Sequence, residues 1–253
     1  MALNETPHPR FPNPTIAQAT CEIGFNRNLQ VKLSSAELYK LVAADFPEIQ
    51  AVGGMAFQIV IESGPLPAQV PPPGVPAPTF RFATSAGDRF VQISDSGFVY
   101  QTTAAYPGWD SVKASILDLW AKMLPVIKPD SVTKVGLRYI NRIVKDEQHP
   151  HIQDWLSASE YIPPVLLKSR RHFLQRVEVS RNNDLLLITV AHQELAETPR
   201  GAIIFDIDRI CSDEIAVDQK VIGDVLERLH EEVWDVFWTS KTPALEQRLN
   251  ARL

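Results

Sequence analysis

Residues 131–144 constrain this chain more than any other stretch. Thr133, Val135, Leu137, Tyr139, Asn141 and Ile143 alternate with Lys134, Gly136, Arg138, Ile140 and Arg142. Only an extended strand sends alternate residues to opposite faces in this way. One face is apolar apart from Asn141, and the other carries Lys134, Arg138 and Arg142 around a glycine. Such a strand needs a core on one side alone, which an antiparallel sheet provides while its second face stays open. Asn141 falls on the core side, where an unpartnered amide costs roughly 1–3 kcal/mol. It either pins a nearby turn or helix end, or orients a ligand.

A second strand of the same phase spans 16–25, with Cys21, Ile23 and Phe25 on one face and Gln18, Thr20, Glu22 and Gly24 on the other. Each of the two opens a similar series. After the first come a helix over 36–46 capped by Ser34 or Ser35, and a strand through Met55, Phe57, Ile59 and Ile61. A connector over 64–78 follows, too rich in proline for a helix or central strand. Short strands at 79–83, 89–94 and 98–102 lead to a long helix capped by Asp110 or Ser111. Its buried stripe is Val112, Ile116, Leu119, Trp120 and Met123, and Pro125 and Pro129 end it. After the second come a loop and short helix around Trp155 and Leu156, strands at 173–180, 185–191 and 201–207, a helix over 218–238 and a polar helical tail.

The pattern predicts an α+β fold with four parts: an extended proline-rich arm (1–15), a first half (16–128), a second half (129–240) and a C-terminal helical tail (241–253). A duplicated strand–helix–strands–helix unit resembles the saddle of the TATA-binding protein. That resemblance implies one curved antiparallel sheet, helices on one face, and the two first strands adjacent at a pseudo-twofold axis.

Several segments together are similar to an uncharacterised, sporadically distributed family of prokaryotic proteins of this length. They are Leu137-Arg138-Tyr139-Ile140-Asn141, Cys21-Glu22-Ile23-Gly24-Phe25, Arg81-Phe82, Val91-Gln92-Ile93-Ser94, Tyr106, Trp109 and Phe205-Asp206-Ile207-Asp208. The resemblance spans about 14–242 and implies a prokaryotic accessory setting, of the kind common among mobile or defence-related genes, with no established activity.

A net charge of −5 offers nucleic acid and anionic membranes no global attraction. Two cysteines cannot build a disulfide framework, and no stretch reaches the roughly 20 apolar residues that span a bilayer. A soluble, cytoplasmic protein is expected. No nucleophile elbow, Walker loop, dinucleotide fingerprint or zinc-protease motif occurs, so no catalytic residue, metal site or cofactor is assigned.

The candidate binding residues are Glu22, Arg138, Asn141, Arg142, Asp206 and Asp208. Glu22 and Arg138 would be near neighbours if the two first strands pair. Asp206 and Asp208 share one face of a strand, where they pair with a sheet-face cation such as Arg138 or Arg176, or hold Mg²⁺ as a metal-assisted hydrolase would. The run Lys168, Arg170 and Arg171 is either a solvated strand edge or a phosphate contact. His149 and His151 read as a surface loop, and Trp109 as the best candidate for an exposed stacking residue. The mixed charge suits a protein partner or a second copy, giving a homodimer, better than nucleic acid.

Overall fold

The computed structural model describes residues 8–27, 29–53, 78–168, 173–181, 183–195 and 198–251. They form one nine-stranded sheet. The strands are β1 (Ile16–Phe25), β2 (Glu48–Gly53), β3 (Pro78–Ala83), β4 (Arg89–Ser94), β5 (Gly97–Thr102), β6 (Val132–Val144), β7 (Leu174–Arg181), β8 (Asp184–Leu195) and β9 (Thr198–Cys211). The helices are α1 (Val31–Val42), α2 (Trp109–Ile127), α3 (Pro164–Leu167), α4 (Gln219–Ser240) and α5 (Pro243–Asn250). The chain is α+β, with a single large antiparallel sheet.

Strand order is β2-β3-β4-β5-β1-β6-β9-β8-β7. At its centre β1 and β6 run antiparallel, with Cys21 opposite Leu137, Thr20 opposite Arg138 and Glu22 opposite Gly136. This register aligns the pleats of the two strands. Cys21, Ile23, Val135, Leu137 and Tyr139 therefore enter the core together, and the intervening residues face the other way. The core is one contiguous cluster. It combines those side chains with Leu38 and Val42 of α1, Ile116 and Trp120 of α2, Leu166 of α3, Leu226 and Val233 of α4, and Leu245 and Leu249 of α5. All five helices thus contribute side chains to this one core.

Local chemistry explains where helix boundaries depart from expectation. Neither Ser34 nor Ser35 caps α1; both lie inside it. The Val31 N–H donates to the Asp95 carboxylate at 2.7 Å, so the turn between β4 and β5 supplies the cap from a distance in sequence. Asp110 and Ser111 do not cap α2 either, since the N-cap is Gly108, at φ 96°, where a side chain is strained. Asp110 sits in the first turn and accepts from Arg10 at 3.0 Å. Pro125 lies within α2, which continues to Ile127 before Lys128 closes it with an N–H donated to the Leu124 carbonyl. The strand expected at 55–61 and the connector at 64–77 lie outside the described residues; β2 precedes them and Pro78 opens β3.

The described part of the N-terminal arm docks on the helices. Phe11 stacks near Trp234 and Trp238 of α4, and the Asn13 N–H donates to the Leu249 carbonyl at 3.1 Å. The tail is not wholly polar, because Leu245 and Leu249 are buried. Asn141 ties these pieces to the sheet. Its Oδ1 accepts from Thr15 Oγ1 at 2.9 Å and its Nδ2 donates to the Phe205 carbonyl at 3.2 Å. Asn141→Ala removes both bonds from a 3%-exposed site. It is expected to cost about 1–3 kcal/mol in urea unfolding and to speed proteolysis within the arm. A change below about 0.5 kcal/mol would show that the amide is dispensable.

Candidate binding site

Thr20 and Glu22 of β1, Lys134, Gly136 and Arg138 of β6, and Asp206, Asp208 and Ile210 of β9 lie on the opposite side of the sheet from the core. Because the pairing sets Thr20 beside Arg138 and Arg138 beside Asp208, these three strands gather their polar side chains at the sheet centre. There a concavity of about 260 Å³ opens, with its charged wall formed by Glu22, Lys134, Arg138, Arg176, Asp206 and Asp208. Thr20, Gly136, Leu187, Thr189 and Ile210 complete the lining.

Two ion pairs brace it, both diagonal across strand pairs. Arg138 donates through Nε and a terminal nitrogen to the two Asp206 oxygens, at 2.8 and 2.7 Å. This fork is mostly dry, with side chains 15% and 4% exposed. Planar two-point pairing of this kind restrains both groups more firmly than a single contact. Burial disfavours the Arg138 charge, yet the hydrogen bond to Asp206 and the nearby carboxylates hold its pKa above the ordinary value. Lys134 donates to Glu22 at 2.7 Å. Glu22 and Arg138 are thus diagonal neighbours, as expected, but do not pair with each other. Glu22 stands opposite Gly136, which brings it to Lys134, while Arg138 turns to β9.

Asp208 differs from both. Among the described residues it makes no hydrogen bond and no ion pair, although it stands directly across from Arg138. Burial pushes its pKa up to about 6; Asp206 and Glu22 reinforce that shift, and Arg138 and Lys134 oppose it. Arg176, on the rim, pairs with Glu178 at 2.8 Å.

Two glycines in these strands differ in their surroundings. A Cβ on Gly24 would lie 3.0 Å from the Cβ of Lys134, so a side chain there would have to push the neighbouring strand aside. A Cβ on Gly136 would meet Glu22 and Ile210 at 3.7 Å and the Arg209 carbonyl oxygen at 3.9 Å, all ordinary contacts, and Gly136 has no positive φ. Neither packing nor backbone conformation demands glycine at 136, and glycine weakens a central strand. Its effect is to leave space.

The other sequence candidates lie elsewhere. Arg142 is exposed at the end of β6, outside the concavity and without a side-chain partner among the described residues. Asn141 faces the core and is consumed by the bonds to Thr15 and Phe205. Lys168 is exposed after α3, whereas Arg170 and Arg171 lie outside the described residues. Trp109 is not a free stacking residue. Its ring lies flat on His230 at 4.3 Å and its indole N–H donates to Glu227. His149 contacts Asp146, and the His151 backbone N–H donates to Asp154, as befits a loop. Reasoning from single strands missed Leu187, Thr189 and Ile210, whose place depends on β8 pairing with β9.

Among the described residues, two groups of ligand-type side chains come close enough to hold a metal: His8, His230 and Glu231; and Asp184, Cys211 and Asp213. Asp184 is already neutralised by Arg209 and Arg228. Neither group includes Asp206 or Asp208, and the fork to Arg138 occupies both Asp206 oxygens. Among the described residues no helix is long and apolar enough to cross a membrane.

Comparison with protein-family models and with curated proteins finds no match to this chain. The family resemblance therefore rests on its motif residues alone.

Arg138→Met leaves the Asp206 carboxylate buried without its counter-ion and is expected to destabilise the fold by about 3–5 kcal/mol in denaturant unfolding. Arg138→Met combined with Asp206→Leu is expected to recover most of that loss; equal losses in both proteins would mean the fork is not a coupled pair. Asp208→Asn is expected to act in the opposite direction. The folded protein holds the Asp208 proton more tightly than the unfolded chain, so this acid favours folding at low pH, and that contribution disappears as pH climbs from about 4 through about 6. The asparagine variant should therefore be the more stable protein at pH 8, by on the order of 1–3 kcal/mol, with the gap closing below pH 4. A pH-independent difference would contradict the assignment.

Proposed function

We propose that this chain is a non-catalytic binding module that presents the open face of β1, β6 and β9 to a protein partner or a second copy of itself. The observation that carries this reading is the concavity at the sheet centre, where braced ion pairs surround a glycine that packing does not require. A site for chemistry would need a free nucleophile or an available metal-binding carboxylate pair. Here Asp206 is held by Arg138, Glu22 by Lys134, and among the described residues no histidine or cysteine lines the cavity. Mixed charge favours a protein surface, because nucleic acid presents a uniform row of phosphates that Asp206, Asp208 and Glu22 would repel.

The duplicated, saddle-like architecture belongs to the same proposal. It is supported by the outward strand sequence β1, β5, β4, β3, β2 on one flank and β6, β9, β8, β7 on the other, each starting from its half's first strand and running back through the later ones, with one strand more on the first flank. A curved sheet with helices on one side leaves its other side for a partner, as in the saddle that the pattern resembles. The buried free thiols of Cys21 and Cys211 suit the reducing cytoplasm of a prokaryote, with an accessory role in a mobile or defence-related system.

Filling the cavity tests the reading. Gly136→Leu projects a side chain into the space, while Gly136→Ala adds only a methyl group at ordinary contact distance. Sedimentation across a concentration series, alone and with co-purifying proteins, should show species heavier than the monomer for wild type. Gly136→Ala should reduce them weakly and Gly136→Leu should abolish them while thermal unfolding stays cooperative. A strict monomer that co-purifies with nothing, or assembly indifferent to Gly136→Leu, would contradict the proposal.

A further inference from the structure

Every base on the wall of the concavity has its own carboxylate: Lys134 has Glu22, Arg138 has Asp206 and Arg176 has Glu178. Asp208 is left over. Counting Glu178 at the rim, three cations face four carboxylates, so the ionised site carries one unit of uncompensated negative charge. At about 260 Å³ the space is smaller than the roughly 300–1,000 Å³ typical of drug-sized ligands, and its size suits one side chain. Leu187 and Ile210 give it an apolar flank, and Thr20 and Thr189 add hydroxyls.

We propose that the concavity is a receptor for a primary ammonium group, the tip of a lysine side chain on a protein partner, with Asp208 as its counter-ion. The idea rests on the partner-binding reading above and adds the chemistry of the contact. An aliphatic stem lies along Leu187 and Ile210 while the ammonium reaches Asp208 and donates its remaining protons to the hydroxyls of Thr20 and Thr189. Arg138 and Lys134 make their ion pairs with Asp206 and Glu22, which leaves Asp208 without an ion-pair partner among the described residues. The choice of an ammonium over the broader guanidinium rests on size, since a compact point charge fits a space of about 260 Å³ in which Asp208 stands beside two hydroxyls.

The binding must depend on pH. The groups facing Asp208 are Arg138 and Lys134 from β6, Asp206 from its own strand, Glu22 from β1 and Arg176 from β7; β8 contributes only Leu187 and Thr189. Asp208 changes charge near pH 6. Ammonium binding requires its ionised form, so affinity should fall about tenfold from pH 7.5 to pH 5.

The test uses the full chain and three blocked tripeptides, Gly-Lys-Gly, Gly-Arg-Gly and Gly-norleucine-Gly, followed by NMR of the side-chain carboxyl carbons. The lysine peptide should lower the Asp208 titration midpoint and bind at least tenfold more tightly than the norleucine peptide. It should lose that advantage at pH 5 and in Asp208→Asn. Equal binding of the lysine and norleucine peptides, or lysine binding unchanged in Asp208→Asn, overturns the inference, and preference for the arginine peptide overturns the choice of ammonium. The assembly assay separates the two proposals. Assembly lost with Gly136→Leu but kept with Asp208→Asn leaves the sheet face as the interface and removes the ammonium contact. Indifference to both substitutions removes both.

Discussion

The pairing of β1 with β6 is the contact on which the rest of the molecule depends. It joins two runs of strands that are otherwise built from neighbours in sequence, β3 to β5 on one side and β7 to β9 on the other. Its register, with Glu22 opposite Gly136 and Cys21 opposite Leu137, makes one continuous apolar floor for α2 and α4 and one continuous polar surface behind it. A slip of one residue would exchange the two faces, driving Arg138 and Glu22 into the helices and exposing Leu137 and Cys21. The separation of core from binding surface is thus a consequence of register.

The polar surface is costly to maintain. Asp206 is 3% exposed, and desolvating a carboxylate is repaid only by a close, well-directed partner. Hydrophobic residues of similar volume would fill the same space at no loss of stability in many proteins. The arrangement instead combines a dry fork, a partly exposed second pair, a carboxylate with no ion-pair partner among the described residues, and a glycine whose Cβ would have room. Stability alone favours none of the last three features. The proposed recognition of a ligand that brings its own charge would account for them together.

Much of the fold was legible because alternation is a local signal. The faces of residues 16–25 and 131–144 follow from side-chain types, and the adjacency of the two strands, which the resemblance to a saddle implied, is what the structure shows. Caps were less legible. The Asp95 carboxylate closes the start of α1 from a turn more than 60 residues away, and no window around Ser34 contains that information. The candidate site was half legible for a similar reason. Glu22, Arg138, Asp206 and Asp208 carry charge on outward positions and so were visible singly, but which acid meets which base depends on diagonal neighbours across strands. Lys134 therefore replaced Arg138 as the partner of Glu22. Leu187, Thr189 and Ile210 bore no local mark of a site. Trp109 misled because a loop tryptophan gives no sign of the His230 ring waiting on a distant helix.

Native-state hydrogen exchange at increasing urea tests the central pairing most directly. If β1 and β6 unite the flanks, the amides of Cys21, Ile23, Leu137 and Tyr139 exchange only through global unfolding, with the stability and urea dependence of the whole protein. Exchange of these amides through a smaller opening, while the β4–β5 and β8–β9 ladders stay protected, would mean that the flanks part at the centre. In that event no single face would remain for a partner to bind.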